Sequence, residues 1–596
     1  MNCPSRTDDD LDHPSWNQNP PSLPADSTTR QDLNGIVNSR TKLDTDCTLV
    51  DEAENEVDDG HAKDRPPDAR LPAPSCAALS DYEPPTAAPK PRIRRIGPFG
   101  LGDLPPWKVT TCLQRFGQIL TKFGKFIGPG FMVAVAYIDP GNYSTDVAAG
   151  AATRFKLLFI VLMSNIFAIL LQSLAVRLGT VTGLNLAEHC RAHLPRWLNI
   201  FLYLLGETAI IATDIAEVLL LRLLHLVSVL TLLQVIGSAI ALNLLFPIPL
   251  VAGCALTLVD VLIILLFYSP NGSMRRLRAF EFFVVALVLG VVICFCIQLS
   301  LVENTAVGEV FKGYLPSSTV VQGNGLYLSC GILGATVMPH SLYLGSGMVQ
   351  ARLRHFDVKA GTYVPNDVVD QDAEKIHYRP SLAAIRACLT YSTVEVALSL
   401  FTFALFVNSA ILIVSGASLS SIVSAQSADL FGIHDLLSKT IAPAAGTIFA
   451  LALLLSGTSA GIVCTIAGQM LSEGALNWTV APWLRRLLTR SISITPSIII
   501  AAAVGKDGLS AALNATQVAL SVVLPFVSAP LIYFTCRSKY MAVDRPEPAA
   551  DDELEQDWER VEMRNHWSVS VFAVLVWLVI AIMNVALLVL VGLGKA

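Results

Sequence analysis

Two short stretches of an otherwise apolar chain carry residues able to hold a metal cation. The first reads GPGFMVAVAYIDPGNYSTDVAAGA, with Asp139-Pro140-Gly141-Asn142 in its middle, and the second reads GILGATVMPHSLYLGSG, with Met338-Pro339-His340 at its centre. Asp139 offers a hard carboxylate and Asn142 an amide oxygen. Each proline removes a backbone donor, and Gly141 weakens the first helix further. The carbonyls just before each break, at Ala136 and Ala335, lose helical partners and become available to a cation. Met338 adds a soft thioether. Oxygen ligands alone suit Mg²⁺ or Ca²⁺, whereas a thioether selects softer first-row transition metals. Two bland readings compete. Asp139 could cap the second half of a kinked span, but a cap alone does not call for a carboxylate that costs ~2.5–3.5 kcal/mol at membrane depth. Met338 could be ordinary packing, which fits a lone methionine better than one beside a proline break.

A third group is acidic. The stretch LGETAIIATDIAEV holds Glu207, Asp214 and Glu217. Seven residues turn a helix by about 700°, so Glu207 and Asp214 lie within ~20° of each other, with Glu217 about 60° away. Acids in such a stripe inside a membrane mark an ion pathway or proton relay. His340, in the second break, titrates near neutral pH unless its surroundings shift it. It is assigned to the proton path, with a structural role as the alternative. Asp260 and Glu395 are single acids in other apolar runs and read as packing groups or as groups that support the site from behind.

The elements that must position these residues follow from composition. The chain has 596 residues, 53% hydrophobic and only 15% charged, with mean hydropathy +0.54. Soluble domains are about 25% charged. Apolar runs fall at about 119–138, 155–176, 198–218, 249–267, 279–301, 325–349, 388–413, 443–468, 489–505, 509–534 and 567–592. Most approach the ~20 residues a helix needs to cross ~30 Å of hydrocarbon. About eleven spans make this an all-α polytopic membrane protein. The two breaks lie five spans apart on this count, so a second copy of a five-span unit enters from the opposite side. Broken helices at matching positions of inverted repeats point to a transporter binding site.

The net charge of −6 sits in the tail, where residues 1–96 carry 18 acids against 11 bases. That segment is rich in Pro, Asp and Ser and poor in aromatics, so it reads as a disordered cytosolic tail open to cytosolic regulators. With the N-terminus inside, the cytosolic connections hold 20 Lys and Arg and the outer ones, with the C-terminus, hold 6. This bias supports that orientation and puts the C-terminus outside or in a lumen. The twelve cysteines include no metal-type C-x-x-C spacing, and most read as small buried residues.

DPGN in the first span and GATVMPH in the sixth resemble the natural resistance-associated macrophage protein (NRAMP) family of proton-coupled divalent-metal transporters. The similarity runs over about residues 115–592 and extends to IGSAIALNLLF (236–246) and LLTRSISITP (487–496). The resemblance implies a LeuT-like 5+5 inverted repeat. Repeat one would cover about 119–301, repeat two about 325–534, and an extra helix 567–592. It implies symport of Mn²⁺ or Fe²⁺ with protons. Asp139, Asn142, Met338 and the carbonyls of Ala136 and Ala335 would bind metal, and Gln517 would join them in occluded states. A proton route would run along Glu207, Asp214 and Glu217 with Arg490 as partner. Many relatives carry a second histidine five positions after the first in the sixth span, and this chain has Gly345 there.

The metal is cargo on this reading, and no resident cofactor or nucleic-acid partner is expected. The competing class is a LeuT-type carrier of small organic solutes such as amino acids, which has no need of Asp139 facing Met338. An enzyme is not expected, since no metal-hydrolase or nucleophile motif is present. Plasma membrane and endosomal or vacuolar membrane are both open. The family pattern also passes directly from AEV to IGSAIALNLLF, whereas here Val218–Gln234 intervenes. Val codons begin GT, Gln can be CAG, and Leu230-Thr231 can encode a fungal-type branch site. The segment is therefore read as a retained in-frame intron in a fungal gene, with a surface insertion as the alternative.

Overall fold

The computed structural model describes residues 128–214, 233–246, 273–302, 305–322, 324–363, 378–420, 430–477, 509–545 and 559–593, with isolated positions between them. The tail 1–96, nearly all of the 218–234 segment, the ninth apolar run and most of the fourth lie outside the described residues.

The first span is two helices, α1 (Pro129–Val135) and α2 (Pro140–Thr153). Its apolar run ends at the break, but the helix resumes beyond it and carries the span to Thr153. Proline at the first helical position starts both halves, where a missing N–H costs nothing. There follow α3 (Leu158–Thr182), the short α4 (Leu186–His193), α5 (Arg196–Asp214), α6 (Leu233–Leu245), α7 (Met274–Ser300) and the short α8 (Val307–Gly313). The sixth span is again split, into α9 (Gly325–Thr336) and α10 (Pro339–Met348). After α11 (Gln350–Ala360), α12 (Leu382–Ser399) runs through one π turn, Leu400–Ala404, into α13 (Leu405–Ser418). The chain continues through α14 (Leu430–Thr440), α15 (Pro443–Leu476), α16 (Leu509–Thr535) and, at the end, α17 (Trp567–Gly592). Six unbroken helices among the described residues are long and apolar enough to cross a membrane.

One element departs from an all-helical reading. Between α16 and α17 two four-residue strands, β1 (Ala542–Arg545) and β2 (Glu559–Glu562), pair antiparallel. In the register, Asp544 pairs with Arg560 and Arg545 with Glu559.

The half-helices lie at the centre of the molecule. α1 packs on α12, α2 on α13 and α9, α9 on α16, and α10 on α3 and α15. Met132, Tyr137, Met338 and His340 are all fully buried. Trp197 and Trp567, at the starts of α5 and α17, are about 70% exposed, as expected of rings at a membrane interface.

Candidate functional site

Each break frees one carbonyl by the same device. Pro140 has no N–H to close on Ala136 four residues back, and Pro339 has none to close on Ala335. Among the described residues no hydrogen bond ends on either carbonyl. The neighbouring carbonyls are occupied. Tyr137 O accepts from Asn142 Nδ2 and Asn408 Nδ2, both at 3.1 Å, and Ile138 O accepts from Ser456 Oγ at 2.7 Å.

Asp139 is the N-cap of α2, and its Oδ1 accepts from Asn142 N at 3.0 Å. The capping reading therefore holds for one oxygen only. Oδ2 is buried and has no partner, and neither does Asn142 Oδ1. Gln517 comes to the same place from α16. A Cβ on Gly141 would overlap its amide nitrogen, and a Cβ on Gly334 would overlap its backbone oxygen. Two glycines, one in each broken span, thus let this residue reach the breaks. Both amide atoms of Gln517 are buried without partners, as are both ring nitrogens of His340.

The two breaks are joined directly. Tyr137 OH and Ser341 Oγ lie 3.0 Å apart, and Gln172 Nε2 donates to both, at 2.8 and 2.9 Å. Ser341 Oγ also donates to Met338 O at 2.7 Å. Gly345 lies against Gln172 Oε1, in space that a side chain would need. None of Tyr137, Gln172 and Ser341 stands out in the sequence. They are neutral, carry no motif, and their partners are 35 to 204 residues away.

Glu207, half-buried on α5, accepts from Ser472 Oγ at 3.2 Å. Asp214 closes α5, but its side chain, Glu217 and Arg490 lie outside the described residues, and so does Asp260. The acidic stripe is described at Glu207 alone.

A second buried polar cluster was not foreseen as a unit. Arg352, a loop cation in the charge count, is only 6% exposed. It reaches Glu281 at 3.4 Å and Glu395 at 3.3 Å. Glu395 Oε1 accepts in turn from Gly128 N at 2.6 Å and Gly130 N at 3.0 Å. It thereby takes up the free amides at the start of α1. Gly128 has φ 155°, where a side chain is strained, and a Cβ there would overlap the Glu281 carboxylate. Glu395 thus has a definite task, to pair with Arg352 and hold the start of α1.

Around the breaks the donor set is one carboxylate, two amides, a thioether and two free carbonyls. Among the described residues no three His, Cys, Asp or Glu side chains cluster as a chelating group. A site with one formal charge and several neutral donors suits an ion that must bind and then leave.

The family model described as natural resistance-associated macrophage protein-like matches residues 130–549. The chain is 49% identical over 521 residues to the manganese transporter SMF1 of Saccharomyces cerevisiae, covering 81% of this chain and 88% of that one. It is 52% identical over 433 residues to the iron transporter SMF3 of the same yeast, covering 72% and 85%. Among solved structures it resembles the Eremococcus coleocola manganese transporter, with TM-score 0.61 and 30% identity over 79% of this chain and 86% of that one. The expected LeuT-like helical fold agrees with that match, and the apolar helices make the chain an integral membrane protein. It belongs to the natural resistance-associated macrophage protein family.

Proposed function

We propose that the protein is a secondary transporter that moves a divalent transition-metal ion of the Mn²⁺/Fe²⁺ class across a membrane in symport with protons. The observation that carries this reading is the set of buried, unpartnered oxygens at the breaks: Asp139 Oδ2, Asn142 Oδ1 and Gln517 Oε1. Native proteins leave few buried polar atoms unpaired. A cation held by these oxygens, by Ala136 O and Ala335 O and by the Met338 thioether would satisfy them together. The manganese and iron transporters among the relatives support the same cargo class. His340 and Glu207 take the proton side, with Asp214, Glu217 and Arg490 continuing the route. The excess of Lys and Arg on one set of loops supports a cytosolic N-terminus and an outer or lumenal C-terminus, in plasma, endosomal or vacuolar membrane.

The test is uptake in proteoliposomes across a panel of divalent ions, with and without a pH gradient. Mn²⁺ or Fe²⁺ should enter faster with the outside acidic, and an amino-acid panel should give no current. Solute-driven current without metal flux would favour the organic-solute carrier instead.

A further inference from the structure

An apolar groove of about 660 Å³ runs between α5, α16 and α17. Its lining includes none of the residues at the two breaks. Phe201, Phe526, Tyr533 and Trp577 form its walls, and Ala529 and Ala581 leave its floor low. Its volume falls within the ~300–1,000 Å³ of ligand pockets. Phe201 is 43% exposed and Phe526 49% exposed, so the groove opens sideways on a surface that faces hydrocarbon. A side-facing cleft of this kind takes its occupant from the bilayer.

One end of the groove is basic. α5 begins there, α16 ends there and α17 begins there. Arg196 lies between the groove residues Leu194 and Leu198 in the chain. Arg537 stacks on the ring of Tyr533, a groove wall, at 4.5 Å, and Lys539 lies 5.6 Å from the Tyr540 ring. Among the described residues no carboxylate lies within ion-pair distance of Arg196, Arg537 or Lys539. Elsewhere in the molecule a carboxylate does answer a cation, as at Arg154, Arg352 and Arg564. Exposed Trp197 at the same end marks the interface level. Cations that no described carboxylate answers, above an apolar slot, match an anionic headgroup carried on an acyl chain.

We propose that this groove is a binding site for an anionic glycerophospholipid, with its acyl chain over Ala529 and Ala581 and its phosphate at Arg537 and Arg196. The source is the cytosolic leaflet, a point that rests on the orientation proposed above. α16 carries Gln517 on another face, so the lipid braces the helix that reaches the two breaks. Its occupancy therefore sets transport rate without touching the metal.

The experiment uses the full chain in two arms. In the first, native mass spectrometry of protein taken from mixed phosphatidylcholine and phosphatidylserine membranes reads retained lipid. Each of Arg537→Gln and Arg196→Gln should lower retention of the anionic lipid about fivefold, the ~1 kcal/mol a basic residue contributes near an anionic surface. Ala581→Phe should remove it by filling the slot. In the second arm, metal uptake should be several-fold faster in the mixed vesicles than in phosphatidylcholine alone. The variants should lose that gain and keep the basal rate. Equal retention of phosphatidylserine and phosphatidylcholine, unchanged by any variant, overturns the site. So does a dimer that Ala581→Phe dissociates, since a second copy then fills the groove. Absence of metal uptake in every lipid would count against the transport reading, while the retention arm would still decide the lipid site.

Discussion

At the start of α1, Arg352 sits between Glu281 and Glu395, and Glu395 also accepts two backbone amides. A few residues further along the same span, at the break, Asp139 Oδ2 and Asn142 Oδ1 are equally buried and have no partner. Both regions carry the cost of burying charge. The first recovers it within the protein, so it is an anchor. The second leaves it open, which is useful only if something else arrives to satisfy it. Burial of a charged residue is therefore a poor guide to function here. What separates the two regions is whether the polar atoms are already answered.

The largest effect should come from breaking the anchor. Arg352→Ala leaves two buried carboxylates facing each other and should cost about 3–5 kcal/mol. Thermal unfolding in detergent reads this directly. Metal affinity of the folded fraction should stay within about twofold. A large loss of affinity with unchanged stability would reverse the two assignments.

Gly334→Ala probes the break from the α16 side. Its Cβ meets backbone of α16 at Gln517, which cannot swing away, so ~1–3 kcal/mol of overpacking is expected. Gly141→Ala meets only the side-chain amide of Gln517. It should cost less stability while still reducing uptake strongly. Equal uptake in wild type and Gly141→Ala would remove Gln517 from the site.

Glu207→Gln should slow or uncouple proton movement about tenfold, ~1.4 kcal/mol on the barrier, with metal binding retained. Paired measurement of ⁵⁴Mn uptake and internal pH separates the two. Lost metal binding with normal proton flux would contradict the division of labour.

His189 tests whether an unpartnered atom alone makes a site. Its Nδ1 is buried and unpaired, but the ring stacks on His193 at 4.5 Å and Phe534 at 4.4 Å. Burial, helped by the neighbouring His193, pushes its pKa down to about 3. A histidine whose folded value lies below its unfolded one is stabilised neutral. Stability should hold above pH ~6.5 and fall by up to about 1.4 kcal/mol per unit below it. His189→Phe should flatten that slope without changing uptake. A slope that survives the substitution assigns the acid sensitivity elsewhere.

The sequence disclosed the two breaks because proline in an apolar run has one strong physical meaning. It also placed Asp139, Asn142, Met338, Ala136 and Ala335 at them. Gln517 was legible only through family resemblance, since a lone glutamine in an apolar helix carries no spacing signal. Its approach depends on two glycines nearly two hundred residues apart. The Tyr137–Gln172–Ser341 tie is made of neutral side chains from the first break and two helices, and nothing local announces it. Arg352 was counted as a loop cation because charge counting cannot see which partners folding brings. The short ribbon at 542–562 is four residues a side, below the length at which alternation is readable.

On the proposed function, the unanswered oxygens at the breaks form a metal site. Isothermal titration of Mn²⁺ into the purified protein, alongside Asp139→Ala and Met338→Ala, decides whether they do. Asp139→Ala should lose Mn²⁺ binding altogether. Met338→Ala should bind Mn²⁺ about tenfold more weakly, and Ca²⁺ should compete better, because the thioether favours the softer ion. Wild-type Mn²⁺ affinity in Asp139→Ala, in protein that unfolds at the wild-type temperature, would contradict the account.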